Sequence, residues 1–178
     1  MHRSPPQLRA VAASNRGGSF PSRYDIGRKL GSGAYGDVYE AHLHGKATKL
    51  VMKVYAYNEN NEEAVCDAYR REVTMLKQLV DAPQVNAPLF ICAYGRTIVM
   101  TDVGDNIRQR RCEDPLEMHA HIGAALRHLH SKNILHLDVK PENITFDGTN
   151  YSLVDYGSVV VDGQHDDMFY RCTRWYRS

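Results

Sequence analysis

The chain has 178 residues, 43% of them hydrophobic, and a formal net charge of +1, which suits one folded domain or slightly more and gives no broad attraction to nucleic acid or membranes. The four cysteines are scattered without a C-x-x-C pair, which argues against a disulfide framework and against a zinc site. No apolar run has the length of a transmembrane helix, so we expect a soluble intracellular protein of the cytoplasm or nucleus.

Residues 1–23 differ in composition from the rest of the chain. They carry four arginines, no acidic residue and many Ser, Pro and Gly. Such a segment buries too little apolar surface to offset its ordering entropy, so we expect a disordered basic tail. The same composition also fits a transit peptide, though weakly.

Short strands are predicted from Tyr24 onward, at 24–31, 37–43 and 49–55, with Gly-bearing turns between them. The first turn, residues 31–36, reads G-S-G-A-Y-G and is followed by Val38, which is the pattern G-x-G-x-x-G-x-V. Glycines allow backbone amides to approach phosphate oxygens. A dinucleotide-binding turn shares this pattern but opens a helix, whereas residues 37–41 alternate like a strand, so we predict a hairpin.

Lys53 is predicted to face the same side of its strand as Val51 and Tyr55. A lysine on the inner side of an apolar strand is costly unless it is paired. The alternative is an edge-strand lysine whose amine extends to water.

A helix is predicted to follow, with the capping pattern Asn60-x-x-Glu63. Glu72 lies four residues from both Ala68 and Leu76, so it shares their buried stripe and requires a cation. Lys53 is one candidate. The alternative places Glu72 at the edge of the stripe, paired with Arg70 or Arg71.

Two more strands are predicted near 88–94 and 97–101, followed by the polar stretch 101–105. Asp114-Pro115-Leu116-Glu117 is typical of a helix start, with Asp114 as N-cap and Pro115 at the first helical position. This helix should end near Asn133. The charged segment before it should be exposed.

The stretch His136–Asn143 reads H-L-D-V-K-P-E-N and offers a carboxylate (Asp138), a cation (Lys140) and an amide oxygen (Asn143). Phosphoryl transfer to a hydroxyl needs a proton acceptor, a charge that offsets the moving phosphate and an oxygen ligand for magnesium. An ordinary polar loop after a helix is the alternative. Two strands follow, at 144–146 and 151–154, and they end in Asp155-Tyr156-Gly157.

Together these motifs resemble the eukaryotic protein kinases, whose catalytic loop reads H-R-D-x-x-x-x-N and whose D-F-G motif here has Tyr for Phe. The end of the chain, T-R-W-Y-R-S at 173–178, resembles the substrate-facing loop of the cyclin-dependent and mitogen-activated kinase group. The resemblance implies an α+β fold: a small lobe at about 24–101 with an antiparallel sheet and one helix, a hinge at about 101–105, and an incomplete helical large lobe at 106–178.

The resemblance also implies roles for individual residues. Asp138 would accept the substrate proton, Lys140 would steady the phosphate, and Lys53, paired with Glu72, would hold the inner phosphates of ATP. Asp155 and Asn143 would bind Mg²⁺, and Met100 would guard the space behind the adenine. The residues implied to bind ATP are Leu30, Gly31, Ser32, Gly33, Ala34, Tyr35, Gly36, Val38, Val51, Lys53, Thr101, Val103 and Thr145.

The residues Lys140-Pro141-Glu142 within the loop are the serine/threonine version of the motif, so the resemblance implies a kinase that phosphorylates serine or threonine hydroxyls of proteins. Leu137 replaces the Arg that binds a phosphate on the activation segment, so we expect activity not to depend on that phosphate. The compact layout and Leu137 would suit a virus-encoded kinase.

The family pattern continues past Ser178, so we expect either a fragment or a truncated product. An apolar face of the helix at 115–133, with Trp175, would then meet water or a partner protein. A non-catalytic module that binds nucleotide or a partner, and a kinase for small molecules, are the alternatives.

Overall fold

The computed structural model describes residues 23–57, 59–79, 87–108 and 114–161. Internal contacts divide the chain into two units, the first formed by residues up to Tyr69 with Phe90–Asp102, the second by Arg70–Leu89 with the residues from Val103 onward. Nearly all of the predicted tail, and the segment with Trp175, lie outside the described residues. The predicted bounds of small lobe, hinge and large lobe stay predictions.

The first unit contains a five-stranded antiparallel sheet in the order β1-β2-β3-β5-β4. Alternating apolar residues separated by Gly-bearing turns account for these strands. The strands are β1 (Tyr24–Gly33), β2 (Gly36–Leu43), β3 (Leu50–Tyr55), β4 (Phe90–Tyr94) and β5 (Thr97–Thr101). All five predicted strands are confirmed, although β4 begins two residues later than expected.

One face of this sheet forms the core of the first unit. Its buried cluster consists of Tyr39, Ala41, Met52, Val54 and Val99. Strands β1 and β4 are at opposite edges of the sheet, yet the Tyr24 hydroxyl of β1 and the Cys92 thiol of β4 lie 3.2 Å apart. This short distance shows that the sheet is strongly curled. Burial, followed by the contact with Cys92, raises the pKa of Tyr24 to about 12.

Helix α1 (Glu62–Leu79) begins in the first unit and ends in the second. Its first turn is acidic, which suits the positive end of the helix dipole. The Asn61 carbonyl accepts from the Val65 amide at 3.0 Å, so Asn61 precedes the first helical turn. The predicted N-cap at Asn60 is therefore wrong by one residue, within the usual scatter of helix ends.

Helix α2 (Pro115–Ser131) lies in the second unit and starts as predicted. The Asp114 carboxylate accepts from the Leu116 amide at 2.8 Å and from the Glu117 amide at 3.0 Å. The buried face of α2 is formed by Ile122, Ala125 and Leu129. The helix ends at Ser131, two residues before the predicted end. At the predicted end, Asn133 has a left-handed backbone conformation with a φ of 56°.

The described part of the second unit also contains two small sheets. Strands β6 (Asp105–Asn106), β8 (Ile144–Phe146) and β9 (Tyr151–Leu153) form one, while β7 (Ile134–Leu135) pairs with β10 (Val160–Val161). The turn between β8 and β9 is closed by the Asp147 carboxylate, which accepts from the Thr149 amide at 2.8 Å and the Asn150 amide at 2.7 Å. The predicted strand pair is thereby confirmed.

Within the described ranges, no helix is long and apolar enough to cross a membrane.

Leu116, in the first turn of α2, is 84% exposed. A partner protein that covers this helix stays a prediction.

Candidate active site

The strand register of the first unit places four of the residues singled out from the sequence on one face of the sheet. Val38 lies opposite Lys53, and Val51 lies opposite Met100. Directly opposed residues of antiparallel strands project to the same face, and their chain neighbours project to the other. These four side chains therefore share a face, and Met52 of the core cluster lies on the opposite one.

The glycine-rich segment is a hairpin. Gly33 pairs with Gly36, so β1 and β2 are joined by Ala34 and Tyr35 alone. A strand follows the turn, which confirms the hairpin over the dinucleotide-binding turn. Among the described residues, a Cβ atom added at Gly31 would meet nothing within 4 Å, and one at Gly33 would meet only the Gly36 carbonyl at 3.9 Å. The backbone here is open to a ligand such as phosphate.

The other residues of this segment differ in how far they are exposed to solvent. Gly31, Ser32, Gly33 and Ala34 are exposed, whereas Leu30 and Tyr35 are half-buried. The Tyr35 carbonyl accepts from the Ala56 amide at 3.0 Å, which ties the turn to the end of β3.

Gly36 is a glycine for another reason. A Cβ atom at this position would overlap the Val54 carbonyl oxygen and lie 2.9 Å from the Tyr55 Cα atom of β3. Backbone overlap of this kind cannot be relieved by a side-chain rotation, so the requirement at Gly36 is close packing of two strands.

Lys53 is only 7% exposed. Its Nζ atom lies 5.0 Å from the centre of the Tyr55 ring, a cation–π contact. The alternative in which Lys53 extends to water is therefore wrong. The predicted pairing with Glu72 joins residues of the two units and stays a prediction.

Glu72 lies in the half of α1 that belongs to the second unit and is 2% exposed. This burial contradicts the alternative that places it at the edge of the apolar stripe. Burial and then the charge of Glu72 raise the pKa of the Tyr156 phenol well above its usual range. The neighbouring Arg71 donates from Nε to the Gly157 carbonyl at 3.0 Å, a contact that sequence reasoning missed.

The loop after β7 brings the three polar residues of the H-L-D-V-K-P-E-N stretch together. Lys140 Nζ lies 2.7 Å from Asp138 Oδ2. Asn143 Nδ2 donates to the Asp138 carbonyl at 2.8 Å and to Asp138 Oδ2 at 2.9 Å. Because Nδ2 is engaged with Asp138, Oδ1 is the atom of the Asn143 amide that could bind a cation.

Asp155 follows β9 closely and has a left-handed backbone, with φ 65° and ψ 74°. Asp tolerates this conformation better than most residues other than glycine. The Val154 amide donates to the Asn143 carbonyl at 2.9 Å. The two predicted metal ligands, Asn143 and Asp155, are therefore linked through one backbone hydrogen bond and one peptide unit.

His136 has a role that the sequence did not reveal. Its side chain is buried, its Nδ1 accepts from the Asp138 amide at 3.4 Å, and its ring centre lies 5.2 Å from that of Tyr156. Burial lowers the pKa of His136, opposed by the carboxylates of Asp155 and Asp138 and assisted by Lys140. A neutral ring thus connects Asp138 to Tyr156.

The residues predicted to contact the base divide between the units. Thr101 lies in the first unit, at the end of β5 and opposite Leu50. Val103, which is half-buried, and Thr145, which is buried, lie in the second. The Thr145 hydroxyl has no hydrogen-bond partner within the described residues.

The charged segment before α2 is described as far as Arg108, and the remaining residues, 109–113, lie outside the described ranges. Arg108 is exposed, as predicted. Its guanidinium pairs with the Glu142 carboxylate of the loop. Asn106 Nδ2 donates to the Glu142 carbonyl at 2.5 Å, so this segment is joined to the loop by two contacts.

The sheet, the helix and the loop place the chain in the class of kinase-like folds. A crystal structure described as "PF14_0431, kinase domain" superposes with a TM-score of 0.75 at 18% sequence identity and covers 88% of this chain and 57% of that one. This likeness confirms the predicted fold. Residues 24–178 match the family described as "Protein kinase domain", and the chain belongs to that family.

Curated relatives include serine/threonine kinases. Testis-specific serine/threonine-protein kinase 4 of Homo sapiens is 26% identical over 144 residues, which is 75% of this chain and 44% of the relative. Probable serine/threonine-protein kinase FPV226 of Fowlpox virus is 24% identical over 181 residues, with 89% and 62% covered. The chain thus spans about half the length of the curated relatives it matches.

Proposed function

We propose that this protein is an ATP-dependent serine/threonine protein kinase, which transfers the γ-phosphate of ATP to hydroxyl groups of protein substrates. The observation that carries the proposal is the cluster of Asp138, Lys140 and Asn143, in which a cation and an amide converge on one carboxylate oxygen. Family membership of residues 24–178 supports the class of reaction.

Asp138 is the proposed general base. Its carboxylate accepts the proton of the substrate hydroxyl as the oxygen attacks phosphorus. Lys140 and Asn143 fix the orientation of this carboxylate, and Lys140 also offsets charge on the transferred phosphate. Most of the catalysis is then positioning and electrostatic stabilisation.

Mg²⁺ fits the donors of Asp155 and Asn143. No group of three His, Cys, Asp or Glu side chains that could hold a metal ion occurs in the described part of the chain. Mg²⁺ is commonly held by one or two carboxylates together with phosphate oxygens of the substrate, so one carboxylate and one amide suffice. When bound, the ion offsets the charge of the ATP phosphates.

The open backbone at Gly31 and Gly33 supports phosphate binding by the hairpin of residues 31–36. Lys53, on the face that it shares with Val38 and Val51, supplies a cation for the inner phosphates. The remaining proposed contacts to ATP come from Leu30, Thr101, Val103 and Thr145. The proposed small lobe, hinge and large lobe have the bounds that the resemblance implies, which are about 24–101, about 101–105 and 106–178.

Serine and threonine are the proposed acceptors. The loop contains Lys140-Pro141-Glu142, which the resemblance assigns to serine/threonine kinases. Several relatives carry that specificity in their names. Phosphoamino-acid analysis of a labelled product would test this part of the proposal separately.

The substitution Lys53→Met tests the proposal. We expect it to abolish transfer of labelled phosphate from ATP to a generic protein, because the phosphates lose their cation. The matched control is Lys49→Met, which removes an exposed lysine just before β3. Equal rates for wild type and Lys53→Met would contradict the assignment.

The alternative function is a non-catalytic module that binds nucleotide or a partner. Equilibrium binding of labelled ATP, measured on the same samples, separates the two. ATP binding without phosphate transfer, in this chain and in a form extended beyond residue 178, would favour the module over the kinase.

A further inference from the structure

The ladder between β1 and β2 is irregular just before the glycine turn. Lys29 is paired with Tyr39, Gly31 with Val38 and Ser32 with Asp37, and the register shifts between Lys29 and Gly31. An irregularity of this kind disrupts the local hydrogen bonds. The adjacent glycines have no side chains that could hold the strands together. The hairpin therefore needs another restraint if it is to keep one conformation.

The Asp37 carboxylate supplies such a restraint from β2. Lys29 Nζ, on β1 before the shift, lies 2.7 Å from Asp37 Oδ1. Ser32, on β1 after the shift, forms a side-chain hydrogen bond to the same carboxylate. The Tyr39 hydroxyl donates to Asp37 Oδ2 at 3.2 Å. One side chain thus connects β2 to β1 on both sides of the irregularity.

The surroundings of Asp37 favour the ionised carboxylate. Its side chain is 18% exposed, whereas that of Lys29 is 43% exposed. Burial acts to raise the pKa of Asp37, but the hydrogen bonds from Lys29, Ser32 and Tyr39 outweigh it and lower the pKa. The carboxylate is charged at neutral pH and keeps all three contacts.

We infer that Asp37 is a positioning residue, which holds the two strands of the glycine hairpin in register and thereby sets how the backbone of residues 31–36 meets its ligand. The consequence for ATP rests on the proposed function. The restraint on the hairpin does not, since it concerns the protein without nucleotide.

A second ion pair on the same two strands provides a matched control. Arg28 Nε lies 2.6 Å from Glu40 Oε1. On β1, Arg28 precedes the residues that contact Asp37, and on β2, Glu40 follows Asp37. This pair therefore joins β1 to β2 farther from the turn. Loss of this pair removes a similar contact without affecting the turn.

Hydrogen exchange tests the inference in the nucleotide-free protein. Asp37→Asn should speed exchange of the amides of residues 31–36 several-fold, whereas Glu40→Gln should not. Ser32→Ala, which leaves the Lys29 contact in place, should give a smaller change of the same sign, and Asp37→Glu should restore part of the protection. Wild-type protection of these amides in Asp37→Asn would overturn the inference.

Steady-state kinetics tests the consequence for ATP. Asp37→Asn should raise the KM for ATP several-fold and change kcat less, while Glu40→Gln leaves both near the wild-type values. An unchanged or lower KM would mean that Asp37 does not position the hairpin for ATP. If the wild type transfers no phosphate, the proposed function fails while the exchange result still decides the restraint.

Discussion

Asp138 has its orientation set by the protein. Its side chain is 12% exposed, and the Lys140 side chain that contacts it is 25% exposed. Hydrogen bonds that involve charged groups contribute about 1.5–3 kcal/mol each. A carboxylate held by two such donors loses little entropy when it meets a substrate hydroxyl, which is what a general base requires.

The burial of His136 leads us to expect that the free energy of unfolding depends on pH. Its folded-state pKa is lowered by burial from the ordinary 6.5. The unfolded chain therefore takes up a proton first as the pH falls, and the free energy of unfolding decreases below about pH 6.5. This one group accounts for at most about 1.4 kcal/mol per pH unit.

The substitution His136→Phe keeps a buried ring that cannot titrate. Between about pH 7.5 and about pH 5.5, we expect the wild type to lose more stability in urea denaturation than this variant does. His130→Phe, at an exposed position of α2, is the control for the substitution itself. Parallel pH profiles for wild type and His136→Phe would contradict the account.

At the residue scale, local chemistry was predictable and distant contacts were not. Asp138, Lys140 and Asn143 lie within six residues of one another, so their meeting in one loop follows from spacing. The partner ring of His136 belongs to Tyr156, and the acceptor for Arg71 is the Gly157 carbonyl. Those contacts depend on how distant segments pack, which residue types alone do not determine.

At the element scale, Gly31 and Gly36 of the glycine hairpin predict opposite results on substitution. Gly36→Ala should destabilise the protein strongly, because the added methyl group would overlap the Val54 carbonyl of β3. Overpacking of this kind costs roughly 1–3 kcal/mol or more. Gly31→Ala should leave stability nearly unchanged, since no atom of the described part of the chain lies within 4 Å of its Cβ position.

The two glycine variants also separate folding from ligand binding. Chemical denaturation measures the first effect, and titration with ATP measures the second. If the hairpin approaches phosphate at Gly31, Gly31→Ala should weaken ATP binding while the protein stays folded. A stable Gly36→Ala, or a Gly31→Ala that unfolds, would show that the strand packing is described wrongly.

Strong periodicity and capping chemistry made most elements predictable. The alternation of β1 to β5 and the Asp114-Pro115 start of α2 were sufficient to place them. The strands β6, β7 and β10 were not predicted, because each has only two residues and a period of two cannot be recognised over that length. The predicted cap at Asn60 missed by one because adjacent asparagines offer equivalent caps.

For the whole molecule, the family match is stronger evidence for a kinase fold than any single sequence motif is. The match extends over residues 24–178, and the structural likeness extends over 88% of the chain. Since the chain spans about half the length of its curated relatives, activity is tested best in this chain and in a longer form side by side.

From Leu137 we expect that phosphate transfer does not depend on phosphorylation of the activation segment. In the resembling kinases this position holds an Arg that binds a phosphate on the activation segment, and a leucine cannot bind one. Phosphatase treatment should therefore leave the rate of phosphate transfer unchanged. A treated sample that loses its activity would contradict this prediction.

Phosphoryl transfer by the loop of residues 136–143 is tested by comparing ATP binding and phosphate transfer in Asp138→Asn and wild type. Asparagine keeps the size of the side chain but cannot accept a proton, and removal of a general base typically costs about 10²–10⁴-fold in rate. We expect ATP affinity close to that of wild type and transfer reduced about 10²–10⁴-fold, with the exposed-site variant Asp25→Asn unaffected. Transfer at the wild-type rate in Asp138→Asn would show that this loop does not catalyse phosphoryl transfer.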